Sequence, residues 1–189
     1  MKNKLLLVSC ALFLFSGTAF AENLLVTKTS GGVDEEGTLP YVVANAPGGS
    51  VIELSIGDET TVTIPETILI DKNLTIDGKG KTISVAEPGV SNYRIFKIGL
   101  YEPEDGAELI SLTLYGGDGT ALVDTETTMA TWSATILVGK NGTLTGENLI
   151  FEKAKNGYAA GIMACGDITL TNCIFKGLSG TSAGGALYT

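Results

Sequence analysis

The sequence predicts an all-β chain wound as a parallel β-helix, a solenoid entered through a short capping helix. Three observations carry that expectation. First, "GDITLTNCIFKGLSGTSAGGALYT" (166–189) echoes "GTLTGENLIFEKAKNGYAAGIMAC" (142–165) at an offset of 24 residues. Gly142 falls on Gly166, Asn148 on Asn172, Ile150-Phe151 on Ile174-Phe175, and Gly161 on Gly185. Second, short strand-forming runs follow one another along most of the chain, punctuated by Gly, Pro, Asn or Asp. Third, only one stretch reads as helix. Sandwiches and barrels also use many short strands, but they do not repeat in sequence. Every coil of a solenoid meets the same neighbours, so its residues recur. The leucine-rich alternative needs an L-x-x-L-x-L-x-x-N frame, which is not found here.

The elements follow in order. Residues 1–21 read as a secretory signal peptide: basic "MKNK", the apolar run "LLLVSCALFLF", then "SGTAFA" with an A-x-A pattern at Ala19 and Ala21. Leu7-Val8-Ser9-Cys10 resembles a lipobox, but cleavage there would leave too short an apolar region. Residues 22–56 read as an N-terminal cap of strand, helix and first strand. In "TLPYVVANAPGG" Thr38 suits the N-cap, Pro40 the first turn, and Pro47-Gly48-Gly49 the stop. Residues 57–189 read as the coils, with "GGDGTALVDTETTMATWS" (116–133) projecting as a loop that carries Trp132, a candidate surface contact. At 24 residues per coil the chain has length for at most about seven coils. "GGALY" (184–188) reads as the opening strand of a further coil, so the chain is expected to be the first part of something longer.

The repeat assigns positions within a coil. Alternate side chains of each strand point inward. Like residues then stack on like, and Phe151 is expected over Phe175. Asn148 and Asn172 are expected at a corner between strands, where Asn tolerates left-handed backbone and can bond its counterpart in the next coil.

Composition excludes several functions. The net charge is −9, and the leader carries two of the basic residues and none of the acidic ones, so nucleic acid and anionic membranes are poor partners. The absence of histidine removes Ser-His-Asp triads, Cys-His dyads and His-ligated metals. Arg94, the lone arginine, could face outward with Lys97 from "RIFKI"; the expectation is a solvent-facing charge. The acidic groups Asp34-Glu35-Glu36, Glu102/Glu104-Asp105 and Asp118/Asp124/Glu126 lack the D-x-D-x-D-G spacing of a Ca²⁺ loop. They read as solvated loops, and no cofactor or metal is expected. "DGKGKT" (77–82) lacks the spacing of a phosphate loop and leads into a strand, so it reads as a turn. Cys165 and Cys173 permit either a disulfide or two thiols. Asn73-Leu74-Thr75 and Asn141-Gly142-Thr143 fit glycosylation sequons, but the leader has a bacterial character, so nothing is assigned to them. After the leader, no apolar run approaches membrane-spanning length.

Three segments carry a resemblance to right-handed parallel β-helix proteins of bacterial surfaces. "GTLPYVVANAPGGSVIEL" (37–54) looks like their N-terminal cap, and "NLTIDGKGKTISV" (73–85) like a common early coil. "LTNCIFKGLSGTSAGGALY" (170–188) resembles the repeat of polymorphic outer membrane proteins and adhesin-like autotransporter passengers, with Gly184-Gly185-Ala186-Leu187 matching the G-G-A-[ILV] motif. Two features depart from that family: Ala160-Gly161-Ile162 replaces the motif one coil earlier, and the F-x-x-N partner is missing. The resemblance implies a secreted or outer-membrane-surface protein with a non-catalytic adhesion or envelope role, whose partners are host or envelope glycans or proteins. The alternative is a polysaccharide lyase or glycoside hydrolase of the same fold, which would need carboxylates, a strong cation or Ca²⁺ gathered in a groove.

Overall fold

A computed structural model describes residues 23–86, 94–124, 134–156, 159–180 and 184–189. The signal peptide reading falls on residues 1–21 and lies outside them, as does Trp132.

The chain opens with β1 (Asn23–Val26), α1 (Leu39–Asn45) and β2 (Val51–Leu54). It continues through β3 (Thr61–Ile64), β4 (Ile68–Ile70), β5 (Leu74–Asp77), β6 (Thr82–Val85) and β7 (Phe96–Ile98). Then come β8 (Ile110–Val123), β9 (Ile136–Val138), β10 (Gly142–Glu152), β11 (Lys155–Asn156) and β12 (Ile162–Ala164). The last coil holds β13 (Asp167–Thr171), β14 (Ile174–Lys176), β15 (Ser179–Gly180) and β16 (Leu187–Tyr188). Every strand pairing is parallel. The strands wind into a β-solenoid of about five turns. One continuous sheet runs β1-β2-β5-β8-β10-β13, with β3, β6 and β14 joining its second half; another runs β4-β7-β9-β12-β16.

The interior follows from strand alternation. Leu74, Leu112, Leu144 and Ile168 stand in register on four successive strands. So do Val62, Ile83, Leu122, Phe151 and Phe175, and Ile68, Phe96, Ile136, Ile162 and Leu187. Phe151 and Phe175 stack as expected, with ring centroids 4.7 Å apart and planes 6° from parallel. Each fully buried side chain of this kind contributes ~1.5–3 kcal/mol. The cap is built as the sequence predicts: the Thr38 hydroxyl accepts from the Tyr41 N–H at 3.3 Å, and α1 buries Leu39, Pro40, Val42 and Val43.

Coil length departs from the repeat. The 24-residue offset holds from Thr143↔Asp167 to Asn156↔Gly180. Ile162 then pairs with Leu187, one residue further on, so Gly161 does not stack on Gly185. Several earlier coils are longer, with Phe96 pairing to Ile136 and Thr75 to Thr113, whereas Val51↔Thr75 keeps the repeat spacing and Thr61↔Thr82 is shorter. Longer coils use up chain, which is why there are about five turns where the repeat length allows seven.

The segment read as a projecting loop begins differently. Glu147 pairs with Tyr115 and Leu149 with Thr120, so Gly116-Gly117-Asp118-Gly119 stand opposite the single residue Asn148. This is a corner bulge, after which pairing resumes through Thr120–Val123. Gly117 and Gly119 have φ of 57° and 118°, left-handed backbone that glycine adopts at the least cost. A Cβ on Gly116 would run into the Asn148 carbonyl, and the Thr120 hydroxyl closes the bulge on Gly116 O at 3.0 Å. The glycines hid the alternation of Thr120 and Leu122. Residues 125–133, the rest of that loop, lie outside the described residues.

Candidate functional site

On a solenoid the interior is spent on packing, so contact surfaces form where outward side chains meet a loop. The outward column of the second sheet runs Leu69, Lys97, Leu137, Met163, Tyr188. Its middle members are covered. Leu137 and Met163 form a small outer cluster with Ala134 and Ala159, against which Tyr101 packs. The Lys140 ammonium lies 5.7 Å from the Tyr101 ring centroid, a cation–π distance.

At the near end the column stays open. Leu69, Asp71, Lys97, Leu100, Glu108, Ile110 and Asn141 line a groove of about 350 Å³. Leu69 and Leu100 are 59% and 52% exposed, and Leu109, just beyond, 72%. The loop between Ile98 and Ile110 forms one wall. Asn141 holds it at both ends: its side-chain oxygen accepts from the Leu100 N–H at 2.7 Å, and its amide donates to Glu108 O at 2.9 Å. Its own carbonyl accepts from the Ile110 N–H at 2.8 Å. A second groove of about 330 Å³ adjoins it between α1 and β4, and shares Leu69 and Asp71.

Both sequon asparagines prove to be ties between coils. Besides Asn141, Asn73 accepts from the backbone and hydroxyl of Ser111, at 2.8 and 3.1 Å. The sequon pattern by itself does not reveal this role. The usable signal was position: each stands at a corner just before a strand, as Asn172 does, while Asn148 marks the corner inside β10. Those two adopt left-handed backbone, with φ of 55° and 52°. Among the described residues no hydrogen bond joins their amides, so the backbone geometry is what the corner uses. Gly184 and Gly185 lead into the last strand, where the Ala160 N–H donates to Gly185 O and the Ile162 N–H to Ala186 O. Leu187 then stacks on Ile162.

Arg94 is not the outward strand charge that the sequence suggested. It precedes β7, and its N–H donates to the Thr67 hydroxyl at 3.1 Å. Arg94 and Lys97 are three residues apart, whereas a strand face repeats every two, so they cannot share a face. Burial pushes the guanidinium below its ordinary pKa, and the charge of Asp124 pulls it back up. Asp124, only 1% exposed, is not the solvated loop residue that its sequence neighbours suggest; it directly follows β8 and lies within electrostatic reach of Arg94.

The remaining candidates are placed as follows. Asp77 accepts from the Lys79 N–H at 3.0 Å, making "DGKGKT" a side-chain-closed turn. Glu35 pairs with Lys28 at 3.0 Å in an exposed loop. Among the described residues no group of three or more Cys, Asp or Glu is placed to hold a metal ion. Cys165 and Cys173 are free thiols, the first exposed and the second half-buried. No described helix is long and apolar enough to cross a membrane.

The architecture is thus a parallel β-solenoid with a leucine-and-carboxylate groove on one flank. No protein-family model, curated protein or solved structure matches the chain.

Proposed function

We propose that the chain is an exported, surface-exposed solenoid that acts by contact, without chemistry of its own, in adhesion or in decorating a cell envelope. The observation that carries this reading is the flank groove. There exposed leucines lie beside Asp71, Glu108 and Lys97 on a rigid stack of coils, an arrangement suited to holding a partner surface. The resemblance of residues 170–188 to the repeats of polymorphic outer membrane proteins and autotransporter passengers supports the same role. The partners would be host or envelope glycans or proteins.

The test is surface plasmon resonance against immobilised neutral and acidic glycans and envelope proteins, with Leu100→Asp in parallel. Saturable binding is expected, with at least tenfold weakening by Leu100→Asp. Release of new chain ends from a polyuronate, lost on Arg94→Ala, would overturn the reading in favour of a carbohydrate-active enzyme.

A further inference from the structure

The second sheet ends at β4, which pairs with β7 alone. On its other side, where a preceding coil would supply a strand, stands the capping helix. The pairing fixes which backbone groups are used. The Ile68 N–H donates to Ile95 O at 3.1 Å, and Ile70 O accepts from the Gly99 N–H at 3.0 Å. In a parallel ladder alternate residues turn to opposite neighbours. Ile68 and Ile70 therefore serve β7, and Leu69 directs both its N–H and its C=O to the open edge. The helix does not fill that edge: the groove of about 330 Å³ runs between Pro40, Val43 and Ala44 on one wall and Ile68 and Leu69 on the other. Leu69 is 59% exposed there.

The rim selects the occupant. Glu66, which accepts from the Val33 N–H at 3.3 Å, and Asp71 flank β4 at its two ends; Lys72, 3.6 Å from Asp71 and bonded to Ala44 O at 3.0 Å, offsets one of the two charges, so the rim stays net negative, and the whole chain carries −9. A second copy would bring the same carboxylates against these, so self-pairing is opposed. We propose that this edge is a strand-addition site for an extended basic peptide segment, one apolar residue over Leu69 with Lys or Arg on either side. Main-chain bonds to Leu69 would hold the strand, and the carboxylates would choose its charge. The site lies beside the flank groove and rests on the contact reading only in supposing a polymeric partner.

The experiment uses the full chain and a labelled peptide of alternating lysine and valine, followed by fluorescence anisotropy and by amide hydrogen exchange. Saturable binding that weakens with salt is expected, with slowed exchange at Leu69 and little change at Ile68 and Ile70. Glu66→Lys should weaken binding about tenfold, and Leu69→Pro, which removes the edge donor, should abolish it while circular dichroism stays unchanged. If Leu69→Pro does not fold, Glu66→Lys and the exchange pattern decide. Glu108→Lys, in the flank groove, should change the affinity less than twofold; an equal loss there would move the peptide to the flank groove and sink the strand-addition site alone. No binding, equal binding of the glutamate–valine counterpart, or protection of Leu69 that rises with protein concentration alone would each overturn the proposal, the last in favour of a second copy.

Discussion

Residues 142–165 and 166–189 are near twins in sequence, yet they are not twins in burial. Leu144, Leu149 and Phe151 are fully buried, whereas their partners Ile168, Cys173 and Phe175 are only half-buried at the edge of the core. The side chains point the same way and the strands pair in register. What differs is the number of neighbouring coils. An inner coil is covered on both sides and the last described coil on one. In a solenoid, burial is thus a property of position in the stack, and the same residue type carries different weight in different turns.

The largest expected effect breaks this comparison directly. Phe151→Ala should cost ~3–5 kcal/mol, because it opens a cavity between two coils. Phe175→Ala should cost ~1–2 kcal/mol, because part of that ring already meets solvent. Urea denaturation of both variants measures the difference, and equal losses would mean that the last coil is covered in solution.

A second comparison concerns the ties between coils. Asn141 is 7% exposed, and Asn73 is exposed. Asn141→Ala leaves the Leu100 N–H and the Glu108 carbonyl without their partner and should cost ~1–3 kcal/mol. Hydrogen exchange should then rise across the loop between Ile98 and Ile110. Asn73→Ala should cost under ~1 kcal/mol, since water replaces its bonds. If the loop stays protected without Asn141, something else shapes the flank groove.

The smallest effect sits at the other end of the stack. Lys79 bridges two coils through Glu53 at 3.2 Å and Asp77 at 2.9 Å. The side-chain bond to Asp77, then that to Glu53, holds its ammonium above the ordinary 10.5. A cation whose pKa is raised by folding stabilises the fold at neutral pH and loses that contribution as pH climbs through the folded value. The stability difference between wild type and Lys79→Met should therefore be slight at neutral pH, be screened by salt, and vanish in alkali above 10.5. A difference that persists in alkali would assign the effect to packing of the lysine stem.

Much of the fold was legible. Alternation marked the inward residues, Thr38 and Pro40 marked the helix start, and the echo between Phe151 and Phe175 marked the stacking direction. The flank groove was not legible. Leu69, Leu100, Glu108 and Asn141 come from three different coils of unequal length. No local pattern records which of them become neighbours. The approach of Asp124 to Arg94 was hidden for the same reason, although the odd spacing of Arg94 and Lys97 is a local clue that the two do not share a strand face.

The sequence by itself determined the inside of this protein. A strand period of two and a repeated apolar pattern decide which side chains turn inward, whatever the length of the coil between them. Only the tertiary structure decided the outside. Which outward residues meet depends on register accumulated over coils of different length and on corner bulges such as Gly116–Gly119. A shift of one residue, like that between the Asn156–Gly180 and Ile162–Leu187 pairs, keeps the alternation and changes the neighbour.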